Sequence, residues 1–139
     1  MPRVLVLNNY CLKRVWGEVQ RGEKPDHHLF GLNYFESHGF DVEIVPWRDH
    51  GAWQRLQALF QRVRFPIPMG DFSQQADAVR RRKTVDLIYA PCQTQLHLLA
   101  YLRRAGLWKV PLVAIAHHPF EVGRLSSLRN PFLRAGLLG

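Results

Sequence analysis

With 139 residues, 47% of them hydrophobic and 22% charged, the chain has the length of one domain and the composition of an ordinary globular one, which excludes disordered and fibrous classes. Lys and Arg number 19 against 11 Asp and Glu, leaving a formal charge of +8. That field favours an anionic partner without naming it, since nucleic acid, acidic lipid headgroups and phosphorylated small molecules all answer to it. The two cysteines, Cys11 and Cys92, are far apart and in no CxxC spacing, so neither a disulfide framework nor a zinc site is signalled and a reducing, cytoplasmic setting is the default. The apolar run after Arg3 is too short for a signal peptide, and no stretch approaches the ~20 apolar residues a bilayer requires.

In chain order, RVLVLN at 3–8 is an apolar run that reads as a central strand buried on both faces. Residues 10–25, with Gly17, Gly22 and Pro25, read as a long loop of the kind that binds ligands. Asp26 is expected to cap a helix with the apolar face Leu29, Phe30, Leu32, Tyr34 and Phe35, stopped by Gly39. Residues 41–46 form the second strand, which completes a right-handed βαβ unit. Trp53, Leu56, Leu59, Phe60 and Val63 lie at helical spacing over 52–64, with Arg55, Arg62 and Arg64 on the other face. After the break at 65–70 a helix runs from about Asp71 to Arg82 and leads into a strand over 85–90. A helix over 94–105 ended by Gly106, a strand over 111–116 and a helix-like tail at 130–138 complete the chain. The alternation predicts an α/β, Rossmann-like open parallel sheet with helices on both faces. The basic run Arg80-Arg81-Arg82-Lys83 reads as a solvated helix end.

In such sheets ligands bind outside the carboxyl ends of the strands. That nominates Asn8-Asn9, Pro46-Trp47, Pro91 through Thr94, and His117-His118, whose amides and imidazoles suit a hydroxylated ligand. Neither histidine has a visible Asp or Cys partner for a triad, and adjacent histidines in an extended chain point different ways, so no metal is expected. Phosphate-binding fingerprints of the GxGxxG and GxxxxGK[ST] types are missing after the first strand, as is a GxSxG elbow.

RVLVLNNY, the loop containing Trp16-Gly17, HHLFGLNYFESHGFDVEIVPW, VDLIYAP and PLVAIAHHPF together resemble the amino-terminal half of a GT-B glycosyltransferase of the retaining, family 4 type. Phe35-Glu36-Ser37-His38-Gly39-Phe40-Asp41-Val42 matches that family's helix-to-strand pattern, and the likeness covers nearly the whole chain. The resemblance implies a nucleotide-sugar donor, no metal or other cofactor, and His117 as the catalytic-cleft histidine that holds a sugar hydroxyl. It also implies Trp16 and Gly17 over the donor phosphates, although the paired glycines usual in that loop are missing. Asn9, Gln93, Thr94 and His118 are the remaining expected substrate contacts on the rim. The family's second, donor-binding domain has no counterpart in these residues. The expectation is therefore a single, incomplete acceptor-side domain, a fragment that transfers a sugar only when joined to that missing domain.

A reading from another class is a stand-alone, non-catalytic α/β module that docks on an anionic partner or membrane surface. The helix at 52–64 bears on this choice. An amphipathic helix ordinarily covers a sheet, whereas a basic-flanked apolar stripe also suits peripheral docking on the inner face of an anionic membrane. Nucleic acid is not expected, because the basic residues are not interleaved with exposed aromatics on a strand face.

Overall fold

The computed structural model describes residues 1–47, 51–63, 69–92 and 96–115. It contains a parallel sheet of β1 (Arg3–Val6), β2 (Asp41–Ile44), β3 (Leu87–Ala90) and β4 (Leu112–Ala114) in the order β2-β1-β3-β4. Val4 through Leu7 are 0% exposed, because a strand flanked by neighbours and covered on both faces has no solvent side for a polar residue. The outermost described strands are less buried: β2 and β4 are half-exposed, and Val113 is 45% exposed.

The helices are α1 (Leu12–Gln20), α2 (Ala52–Arg62), α3 (Phe72–Arg81) and α4 (His97–Arg104). On one face of the sheet Leu5, Leu7, Ile88 and Ala90 pack with Ala78, Leu96, Leu99 and Trp108, so α3 and α4 cover it. On the other, Val4, Val6 and Tyr89 pack with Leu12, Val15, Leu29 and Leu32. The α/β, Rossmann-like architecture with helices on both faces is thus as the sequence predicts.

Two expectations along the first crossover are corrected. The expected loop over 10–25 contains α1, whose Leu12, Val15, Trp16 and Val19 follow the spacing i, i+3, i+4, i+7 and join the core on that face. The expected helix from Asp26 is instead a series of 3-10 turns, Asp26–Leu29, Leu32–Tyr34 and Glu36–His38. Phe30 (φ 51°) and Gly31 (φ 79°) both lie in the left-handed region, which ends the first turn before an α-helix can propagate. Asp26 caps nothing; its Oδ2 accepts from Asn33 Nδ2 (3.3 Å) and Tyr34 Oη (3.2 Å), joining the first turn to the second.

The stop signals read correctly. Gly106 (φ 74°) follows α4, and the Leu107 N–H donates to the Leu102 carbonyl (2.9 Å), the back-bond that a left-handed residue after a helix permits. The basic run closes α3: Arg80 pairs with Asp77 (3.0 Å), Arg81 with Glu43, and Arg82 Nη1 donates to the Val79 carbonyl (3.0 Å), all at the negative end of the helix dipole. No described helix is long and apolar enough to cross a membrane. Residues expected at Gln93, Thr94, His117 and His118, and the tail helix at 130–138, lie outside the described residues.

Candidate functional site

β1 and β3 are hydrogen-bonded neighbours, yet the chain leaves β1 toward β2 on one side and returns on the other. The connection after β1 goes into α1 on one face of the sheet, and the connection after β3 goes into α4 on the opposite face. Diverging connections of this kind open a crevice at the carboxyl ends of the two strands, the switch point where doubly wound sheets take ligands. The described rim there consists of Leu7 to Cys11 after β1 and Pro91 with Cys92 after β3.

Asn8 is the central residue of this rim. It is 1% exposed and is held from three directions. Its backbone N–H donates to Gln74 Oε1 (2.7 Å), and Gln74 Nε2 donates back to the Asn8 carbonyl. Its side-chain Nδ2 donates to the Val45 carbonyl just past β2 (3.2 Å). Asn8 Oδ1, also buried, has no hydrogen-bond partner among the described residues. An unanswered buried acceptor costs about 1–3 kcal/mol; Asn8 Oδ1 is one of six buried side-chain polar atoms without a hydrogen bond among the described residues, and the one that lies at the switch point.

Gln74 reaches Asn8 from the first turn of α3. That helix starts at Asp71, whose Oδ1 accepts from the Gln74 N–H (2.9 Å), an N-cap that satisfies one of the helix's open donors. The next residue, Gln75, is 0% exposed. Its Nε2 donates to the carbonyls of Met69 (2.7 Å) and Asp71 (3.0 Å), and its Oε1 accepts from the Leu99 N–H (3.1 Å) in the first turn of α4. The residue before α4, Leu96, provides no side-chain cap, so Gln75 supplies from another helix the acceptor that α4 lacks. Ser73, Asp77 and His97 are buried around the same helix pair. Burial lowers the pKa of His97, which favours the neutral imidazole.

The other wall begins with α1. Its first turn carries Lys13 and Arg14 and no acidic residue, so two cations stand at the positive end of the helix dipole. Arg14 N–H (3.1 Å) and Val15 N–H (3.3 Å) donate to the Cys11 carbonyl. Tyr10 Oη donates to the His28 carbonyl and Tyr89 Oη to the Phe30 carbonyl (2.8 Å), anchoring the 3-10 segment to β1 and β3. Burial raises the pKa of both phenols, so they act as hydrogen-bond donors.

Of the sequence-predicted residues, Asn9 is exposed immediately beyond Asn8, and Cys92 follows the adjacent strand. Trp16 and Gly17 are in the middle of α1, where the Gly17 carbonyl accepts from the Arg21 N–H (3.2 Å). The loop expected to pass over phosphates is therefore a helix at those positions. The residues that sequence reasoning missed are Gln74 and Gln75. Their signal was a pair of amides inside a helix whose only large apolar side chain in the first turn is Phe72. A shallow cavity of about 460 Å³ lined by Met1, Arg3, Glu36, Phe40 and Asp41 lies at the amino ends of β1 and β2, where Arg3 Nε is already paired with Asp41 (3.1 Å). Among the described residues no group of three His, Cys, Asp or Glu side chains could hold a metal. No family model, no curated protein and no solved structure matches the chain.

Proposed function

We propose that the chain forms one wall of a sugar-transfer cleft and receives a hydroxylated ligand at the rim between β1 and β3. The observation that carries this reading is the orphaned Asn8 Oδ1 at the switch point. An acceptor whose three neighbouring polar groups are already engaged is preorganised for a donor, and the hydroxyls of a saccharide are donors. Lys13, exposed in the first turn of α1, suits a phosphate or other anionic portion of such a ligand, whereas Arg14 is paired with Glu18 at 3.6 Å. The likeness to the amino-terminal half of a GT-B glycosyltransferase supports the same assignment, with a nucleotide sugar as donor and His117 as the cleft histidine.

Glycosyl transfer needs the acceptor hydroxyl and the donor carbon held at near-attack distance by groups on both sides. A single wall does not supply that, so the 139-residue chain by itself is expected to bind and not to turn over. The test is an amide NMR titration with hexoses and disaccharides on the wild type and on Asn8→Ala. Shifts confined to residues 8–11 and to Cys92, and lost in Asn8→Ala with the rest of the spectrum unchanged, support the reading. Equal shifts in the variant, no shifts with any saccharide, or sugar transfer by the chain alone overturns it.

A further inference from the structure

Helix α2 has no buried residue. Its partly buried side chains are Gln54, Gln57 and Phe60, and the contacts to the body run through that side: the Phe72 N–H donates to Gln57 Oε1 (3.3 Å), and Phe60 stacks edge-on against Phe72 at 5.4 Å. At about 100° per residue, Trp53, Leu56, Leu59, Phe60 and Val63 share one apolar side, on which Phe60 meets the protein while Leu56, Leu59 and Val63 continue beyond it, away from Gln54 and Gln57. They are 37%, 55% and 63% exposed, and Trp53, on the other side of Phe60 from these three, is 39% exposed. The helix therefore holds the protein through Gln57 and Phe60 and leaves Leu56, Leu59 and Val63 toward solvent. Of the two readings of 52–64, the sheet-covering one is not met, since α2 buries no residue.

We infer that this stripe docks on the surface of a membrane leaflet rich in anionic phospholipid. The argument for that occupant is charge. Arg55 and Arg62 are exposed along the flank of the stripe, α2 contains no acidic residue, and the whole chain carries +8. A helix lying in the interfacial plane needs this combination: a short apolar stripe, here of Leu and Val, arginines beside it, and no carboxylate to be repelled by lipid phosphates. The same features disfavour a second copy of the chain, because two such helices would bring like charges together with no acid to answer them. The inference stands independently of the ligand rim.

Sedimentation of the chain with vesicles tests it. Binding is expected to vesicles of equal parts phosphatidylcholine and phosphatidylglycerol, little to phosphatidylcholine alone, and weaker as salt is raised. Arg55→Gln with Arg62→Gln should weaken partitioning roughly 25-fold, about fivefold for each arginine near the surface. Leu59→Gln with Val63→Gln should weaken it at least as much, with an unchanged circular dichroism spectrum. In the unsubstituted chain, vesicles should slow hydrogen exchange over residues 52–63. Absence of binding to the anionic vesicles, binding indifferent to both pairs of substitutions, or slowed exchange confined to other segments overturns the inference. A concentration-dependent dimer abolished by Leu59→Gln with Val63→Gln also overturns it and assigns the stripe to a second copy.

Discussion

Helices α2 and α3 are consecutive and in contact, yet they solve opposite problems. In α3 the polar residues Ser73, Gln74, Gln75 and Asp77 are buried, while in α2 the apolar residues Trp53, Leu56, Leu59 and Val63 are exposed. Amphipathicity alone does not distinguish them, since each helix gathers its apolar side chains along one side. The difference lies in partners. Each buried amide of α3 meets backbone groups that would otherwise be stranded at the ends of β1 and α4, and burial of a polar group is tolerated when its hydrogen bonds are made. The exposed apolar residues of α2 have no such compensation within the described protein. Buried polar groups are thus answered by internal partners in α3, while apolar groups stay exposed in α2 among the described residues, and substitutions can separate the two.

The largest effect should come from Gln75→Ala. This change strands the Leu99 N–H and removes two donations to the Met69 and Asp71 carbonyls, and buried groups left unpaired cost about 1–3 kcal/mol each. A destabilisation of about 3 kcal/mol by urea denaturation is expected. A value near zero would mean that α4 finds its first-turn acceptor elsewhere.

The neighbouring position sharpens the contrast between structural and functional polar groups. Gln74→Ala leaves both the Asn8 N–H and the Asn8 carbonyl without their partner and should cost about 2 kcal/mol. Asn8→Ala loses one bond to the Val45 carbonyl but also removes the orphaned Oδ1, so its net cost should stay within about 1 kcal/mol. Ligand binding should respond in the opposite order, being abolished by the Asn8 change. If Asn8→Ala proves the more destabilising of the pair, the side chain is a structural bracket and the rim loses its acceptor.

A smaller effect is expected with pH. Burial lowers the pKa of His97 in the folded chain below its unfolded value of about 6.5. The unfolded state therefore binds the extra proton first, and stability is lost as pH falls through about 6.5 toward the folded value. Urea midpoints measured from neutral pH downward should decline, and His97→Asn should flatten that decline. An unchanged slope in the variant would assign the acid sensitivity to other groups.

The sheet was legible because its cues are local. Val4 to Leu7 are apolar in an unbroken run, which leaves a central strand as their natural place, and Gly39 and Gly106 sit where the chain takes a positive φ. The first crossover was less legible. Lys13, Arg14, Gly17 and Glu18 make residues 10–25 look like a loop, and only the spacing of Leu12, Val15, Trp16 and Val19 betrays α1. Asp26 looked like a cap, but its Oδ2 accepts from Asn33 and Tyr34, a choice that the capping rule does not anticipate. The rim was readable as a place and not as a residue. Asn8 and Asn9 are equivalent in sequence, and Asn8 becomes the buried one through Gln74, 66 residues away. The side on which an amphipathic helix finds its protein is likewise invisible until its neighbours are known, which is why 52–64 permits both a core and a surface reading.

The smallest expected effect is the most discriminating for that helix. In a core, truncating a large apolar side chain costs about 2–5 kcal/mol and inserting a polar one adds a further penalty. Leu59 and Val63 are more than half exposed, so Leu59→Gln and Val63→Gln should each change stability by no more than about 0.5 kcal/mol, as exposed substitutions do. Phe60, one residue along and edge-on to Phe72, serves as the internal control. Phe60→Ala removes a half-buried aromatic contact and should cost about 1–2 kcal/mol. The difference between adjacent positions, read from urea midpoints of the free chain, measures how sharply the protein-facing and outward sides of α2 divide. Equal losses at Leu59 and Phe60 would show that the stripe is buried in solution, leaving no free surface there for a membrane.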